Sequence, residues 1–262
     1  MDTTNLKSRL DGKLQARKPE PTERIINMPN TATALTTINN SNYIALKSDA
    51  LSIISENLKN QQLTHALFDV IKSPAGGITS FSVPGISGDT MEKELTGIIL
   101  DYTTPRAYWD TPDPVEGTPP VCFSMDSHAS YVEGKPCARC VFNDFGSKDG
   151  ESNAKACKES VEVYLLRPDS IMPVIVRIPV SSKLLFLKYS MRLIGSMTPI
   201  YGVVTRITLD KATSKAGKPY ALYNFEAVSV LSTEEAATAR AFGQKFMEIL
   251  NAADETIIKE VV

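Results

Sequence analysis

Four cysteines, Cys122, Cys137, Cys140 and Cys157, are the only ones in the 262-residue chain, and they fall at the spacing C-x14-C-x2-C-x16-C. Thiolates grouped in this way converge on a soft metal ion, and Cys137-Ala-Arg-Cys140 supplies the short knuckle from which tetrahedral zinc sites are built. The intervening sequence is rich in Gly, Ser, Asp and Asn. It has too little apolar content to hold a shape of its own, so the spacing predicts a structural Zn2+ held by all four thiolates, fixing a loop over residues 120–160. His128 is an alternative donor; two disulfides or a redox-active CxxC are alternative uses of the thiols. Four thiolates leave zinc no open position for a substrate. The chain also has no GxxxxGK[ST], GxGxxG or HExxH, and its histidines are His65 and His128 alone. We therefore expect no enzyme.

Apart from the thiols, the residues suited to chemistry are cations interleaved with rings. Single-stranded nucleic acid is held by that mixture, cations neutralising phosphates while bases stack on aromatic faces for about 1–3 kcal/mol each. One such group is Thr104-Pro-Arg-Ala-Tyr-Trp, which places Arg106, Tyr108 and the single tryptophan, Trp109, just ahead of the cysteine loop. A second lies in residues 170–225, where eight bases stand against one acid, Asp210. Arg177, Lys188, Arg192, Arg206, Lys211, Lys215 and Lys218 are the candidate phosphate contacts there, with Tyr220 and Tyr223 the candidate stacking rings. By the two-residue period of a strand, Tyr223 and Phe225 share one face and Tyr220 takes the other. Burial in a core is the competing role for each ring. Residues 87–169 hold fifteen acids against eight bases, and six acids against three bases follow from Thr233, so a net charge of −2 hides a strong polarity along the chain.

These residues need elements to position them. Residues 1–42, with six bases against four acids, read as a flexible basic arm. Asp49 is placed to cap a helix over about 48–60. Ile78–Val83, Leu95–Tyr102, Val161–Leu166 and Val174–Val180 read as short strands between Pro/Gly turns. Residues 181–194 open on serines suited to an N-cap and space Leu184, Leu187, Met191 and Ile194 as a helical stripe. Tyr201–Leu209 and Tyr220–Val228 form a long hairpin with a basic tip over residues 210–219. A last helix begins with Thr233 as its N-cap and runs into a short acidic end, together residues 233–262. Short strands without a βαβ rhythm predict a mainly β (α+β) fold. The expected form is a small OB-like β-barrel over residues 43–232, with the zinc loop inserted and helices at its flanks.

Hydrophobic residues make up 42% of the chain and charged ones 22%, with 14 Gly and 16 Pro, which disfavours global disorder and collagen. No apolar run approaches the roughly 18–20 residues that cross a bilayer, and the first residues lack the apolar block of a secretion signal. The expectation is a soluble, intracellular chain with no membrane partner.

The runs Pro105-Arg-Ala-Tyr-Trp109, Pro120-Val-Cys-Phe-Ser-Met-Asp126, Cys137-Ala-Arg-Cys-Val-Phe-Asn-Asp-Phe-Gly-Ser147 and Ala154-Lys-Ala-Cys-Lys158 resemble a group of zinc-loop proteins from phages and integrative mobile elements of Gram-positive bacteria. The layout is similar to that of phage single-stranded DNA-binding proteins, some of which carry a zinc subdomain on an oligonucleotide-binding fold. The resemblance implies a non-enzymatic single-stranded DNA-binding protein serving replication or recombination of such an element in the cytoplasm of its host cell. Replication or recombination proteins would meet it through the C-terminal helix. Two other readings fit the same residues. One is a zinc-stabilised protein-interaction module for phage assembly or for facing host defence; the other is a nuclease using the acids of residues 87–169.

Overall fold

Strands with apolar residues at both odd and even positions must be covered on both sides, and the chain's central strands are of this kind. A computed structural model describes residues 36–38, 43–47, 49–59, 61–111, 118–131, 134–148, 154–214 and 217–261, with residues 36–38 and 252–261 by backbone alone. Its strands are β1 (Thr36–Ile38), β2 (Val70–Ile71), β3 (Phe81–Val83), β4 (Thr90–Glu92), β5 (Glu94–Thr103), β6 (Arg106–Tyr108), β7 (Cys122–Ser124), β8 (Lys158–Leu166), β9 (Val174–Pro179), β10 (Val203–Thr213) and β11 (Pro219–Leu231). Its α-helices are α1 (Ala50–Leu58), α2 (Val180–Gly195) and α3 (Thr233–Val261).

Among the described residues, nine strands form one sheet in the order β1-β11-β10-β5-β8. From β8 the sheet forks, with β9 and then β2 on one branch and β6 and then β7 on the other. Pairing is antiparallel except at β1–β11 and β2–β9. The mainly β character is as expected, and the sheet curls as a half-barrel. Its outer face carries Ile98, Leu100, Tyr164 and Leu166 against Ile54 of α1 and Phe242, Phe246 and Leu250 of α3. Its inner face wraps Ile99, Val161, Val163, Leu165, Ile207 and Tyr223 around Phe186 and Tyr189 of α2. Each such side chain, fully buried, stabilises the fold by about 1.5–3 kcal/mol.

Close approach of β5 to β8 requires one glycine. A Cβ on Gly97 would stand 2.5 Å from the Leu166 carbonyl oxygen and 2.8 Å from Leu165 Cγ. Gly97→Ala should therefore destabilise by about 1–3 kcal/mol, as overpacking does. Chemical denaturation checks this, and an unchanged midpoint would show that the two strands yield freely.

Helix ends follow local chemistry, with two departures from the sequence reading. Asp49 caps α1 as expected, its Oδ1 accepting from Ser52 N–H at 3.3 Å. For α3 the cap is Ser232 rather than Thr233: Ser232 Oγ accepts from Glu235 N–H at 3.2 Å, while Glu235 Oε2 accepts from Ser232 N–H at 3.2 Å. This reciprocal pair needs an acid three residues after the cap, and the sequence Ser232-Thr-Glu-Glu235 provides it. In α2 the serines do not cap. The helix starts directly after Pro179, and Ser182 is buried, its Oγ accepting from Tyr223 N–H at 3.0 Å. The buried stripe of α2 is Ser182, Phe186, Tyr189 and Leu193, leaving Leu184, Met191 and Ile194 in solvent. Two stripes share the helical period in this segment, and the aromatic one wins because its rings meet Tyr102 and Phe225 edge-on or stacked. Tyr189 also shares a 2.7 Å hydrogen bond with Thr205.

The hairpin strands run further than expected, to Thr213 and from Pro219, so Lys211 belongs to a strand and not to the tip. The arm expected over residues 1–42 lies outside the described residues except for Thr36–Ile38, which add an edge strand on β11. Among the described residues no helix is long and apolar enough to cross a membrane.

Candidate nucleic-acid interface and cysteine cluster

The ladder of β5 on β8 does not stop where β5 does. The pairs Tyr102↔Val163 and Thr103↔Glu162 continue in the same register as Arg106↔Glu159 and Ala107↔Lys158. Between them stands Pro105, which has no N–H to give but whose carbonyl accepts from Ser160 N–H at 3.1 Å. On the other edge of β6, β7 pairs Tyr108 with Cys122. One more step of the β6–β8 register sets Cys157 opposite Tyr108. Residues directly opposite in a ladder share a face. Cys122, Tyr108 and Cys157 thus look to one side of a three-stranded ribbon, and Phe123, Ala107 and Lys158 to the other.

On the first side the knuckle brings in the remaining two thiols. Arg139 N–H donates to the Pro136 carbonyl at 3.1 Å and Cys140 N–H to the Cys137 carbonyl at 3.3 Å, while Cys157 N–H donates to the Phe142 carbonyl at 2.8 Å. The Phe142 ring stacks on Tyr108 with centroids 4.0 Å apart. All four cysteines line one cavity of about 690 Å³, and no disulfide joins them. Burial pushes the Cys157 thiol up; the Arg106 charge draws it down, and the other three cysteines push it up again. Cys122, Cys137 and Cys140 thus all lie within electrostatic reach of the Cys157 sulfur. As they stand, no three His, Cys, Asp or Glu side chains among the described residues are gathered tightly enough to hold a metal ion. His128 is exposed, with Nδ1 2.7 Å from the Asp126 carbonyl oxygen, and it does not line the cavity.

The second side follows from alternation along β8. Lys158, Ser160 and Glu162 share the parity of Tyr164 and Leu166, so one face of the strand passes from outer core to a charged cleft of about 480 Å³. Lys158 Nζ lies 5.7 Å from the centre of the Trp109 ring, and the indole N–H donates to the Thr118 carbonyl at 2.9 Å, holding the ring half-buried at the cleft wall. Glu162, only 3% exposed, accepts from Arg177 Nε at 2.7 Å and lies 2.8 Å from His65 Nε2. Burial alone would raise its carboxyl, but the His65 hydrogen bond and the Arg177 charge outweigh it and hold the group below its ordinary value. Glu159, of opposite parity, is shared by Arg106, at 2.7 Å, and Lys183. Arg106 lines both the cleft and the cysteine cavity. It also donates to Asn143 Oδ1, and Asn143 Nδ2 donates to the Cys137 carbonyl at 3.0 Å.

Of the residues singled out from sequence, the structure brings Arg106, Trp109 and Arg177 to the cleft and Tyr108 to the cysteine cavity. The basic segment does not form one surface. Lys188 and Arg192 are exposed on α2; Arg206 bonds Glu226 at 2.8 Å on the polar face of the hairpin; Lys211 and Lys218 are exposed near its tip. Lys215 lies outside the described residues. Tyr220 is half-buried, whereas Tyr223 is a correction: it is fully buried in the inner core, its rings and hydroxyl engaged by Phe81 and the Arg177 carbonyl. Odd positions of β11 as far as Ala227 face the inside of the curl, which removes Tyr223 from any stacking surface and pushes its hydroxyl up to about 12 by burial. Sequence reading missed Lys158, Phe123, Glu162 and His65. The alternation Lys158-Glu-Ser-Val-Glu162 carried a signal for the first and third, and His65 had none.

No family model matches the chain, and no match is found among curated proteins or solved structures.

Proposed function

We propose that the protein is a non-enzymatic single-stranded DNA-binding protein whose interface is the β8 cleft and whose cysteine loop is held by a structural Zn2+. The observation that carries this reading is the juxtaposition in one cleft of the Trp109 indole with the Lys158 ammonium, beside Arg106 and Arg177. Glu159 and Glu162 are already engaged by Arg106, Lys183, Arg177 and His65. Lys158 remains as a phosphate contact, and Arg177, 42% exposed though bonded to Glu162, is the second. A base stacks on the open face of Trp109 while its flanking phosphates meet these cations, the general mode of single-strand recognition. Cys122, Cys137, Cys140 and Cys157 fit zinc by donor chemistry, four soft thiols lining one cavity. Zinc bound there would supply a fixed crosslink between β7, the knuckle and the start of β8, and no open coordination position for catalysis.

Trp109 is the sole tryptophan, so fluorescence excited beyond the absorption of the nine tyrosines reports this site alone. Titration with single-stranded oligonucleotide should quench it, with affinity falling as salt rises by a slope of about −0.7 per phosphate neutralised. Trp109→Ala, followed by oligonucleotide anisotropy, should weaken binding by about 1–3 kcal/mol. Absence of quenching and of anisotropy change at low salt would reject the reading.

A further inference from the structure

Helix α2 is apolar on two sides. Its inner side packs on the sheet, with Leu187 half-buried at its flank, while its outer side carries Val180, Leu184, Met191 and Ile194, the five together at steps of four, three, four and three residues. This is the a/d spacing of a helix–helix seam, sustained along the element. Leu184 is 61% exposed, and Met191 and Ile194 are each 63% exposed. Single apolar side chains on a surface need no explanation, but a row of them from Val180 to Ile194 marks a contact surface.

The charges beside the stripe select what covers it. α2 has three bases and no acid. Lys183 is engaged by Glu159, while Lys188 and Arg192 are exposed and make no ion pair among the described residues. A second α2 laid on the first would set these bases against their equivalents. Residues 1–34, with six bases against four acids, are cationic as well. The complementary segment is the end of α3. Leu250 is the last of its described side chains in the outer core, across the sheet from α2, and the helix runs on to Val261. The sequence of this extension has Asp254, Glu255 and Glu260 against Lys259, with apolar Ile257, Ile258 and Val261 at i, i+1 and i+4. Acids in the last turns of a helix oppose its dipole, so they gain from cations brought from outside.

We propose that the end of α3 from one copy of the chain docks on the outer stripe of α2 in a second copy, its acids meeting Lys188 and Arg192. The two surfaces differ, so the contact is heterologous: it propagates from copy to copy or closes as an exchanged pair. This inference is independent of the DNA reading. Sedimentation velocity should show concentration-dependent association of the full chain and its loss in a chain ended after Leu250. Met191→Glu should weaken association about tenfold or more. The K188E/R192E pair should weaken it likewise, and D254K/E255K in the same chain should restore it. A synthetic peptide of residues 246–262 should compete. Unaltered thermal transitions verify that each variant is folded. Association that survives truncation but not Met191→Glu would assign the face to α2–α2 pairing, and loss on removing residues 1–34 alone would assign it to the arm. Met191-dependent binding to anionic vesicles would assign it to a lipid surface. Each of these, or a chain monomeric throughout, overturns the proposal.

Discussion

Cys137→Ser should strip the protein of its metal and open the loop over residues 120–160, whereas the unaltered reduced protein should carry about one zinc per chain. Cys137 is the most buried of the four cysteines, 8% exposed, and its carbonyl is tied to Asn143 and through it to Arg106. Beyond these bonds and the Phe142–Tyr108 stack the loop buries little, with Val141 and Phe145 largely in solvent. In small zinc domains the metal contributes an apparent ~10–16 kcal/mol, which is folding free energy wherever no other core exists. The half-barrel has its own two cores and should keep its thermal transition in the variant. Hydrogen exchange should therefore rise over the loop and stay slow in β5, β8 and β10. Metal analysis that finds nothing in reduced wild-type protein, or an equal content in the serine variant, would remove zinc from the account.

Glu162→Gln is the second large effect. Removing one partner of a buried ion pair leaves the other uncompensated, at a cost of about 3–5 kcal/mol. Arg177 is partly exposed and can turn to water, so the lower end of that range applies. The pH dependence has a definite sign. The carboxyl is held below its ordinary 4.5 in the folded chain, so its contribution is complete above that value and disappears as pH falls through the lower, folded one. Urea unfolding of wild type at neutral pH and on acidification should show this loss, and the glutamine variant should show a flatter acid limb. Equal stability at neutral pH together with an undiminished acid limb would mean that the Arg177–Glu162–His65 group adds nothing.

The central strands, the Asp49 cap and the long hairpin were legible because each is written in local periodicity or capping chemistry. The cleft was legible only in part. Trp109 and Arg106 stand out by composition, but Lys158 becomes meaningful once β8 is known to begin at Lys158 and to carry β6 across Pro105, a pairing between segments some fifty residues apart. The seven-charge excess of residues 170–225 misled for a related reason. Strand parity sends neighbouring bases to opposite faces, and acids from elsewhere, Glu159, Glu162 and Glu226, meet three of them. Tyr223 and the stripe of α2 show the same limit: periodicity reveals that a face exists, whereas the choice between two faces is made by what the rest of the chain packs against it.

From Lys158 to Glu162 the backbone runs as one extended span that starts one residue after a cavity sulfur, carries the ammonium over the indole and ends on a carboxylate sunk beneath the sheet. An extended span of this kind is a stiff rod of about 3.3 Å per residue, with no hinge at which one end could move and the other stay. If zinc and a DNA strand are held as proposed, each would thus be sensed at the other's station, as two hands on a single lever.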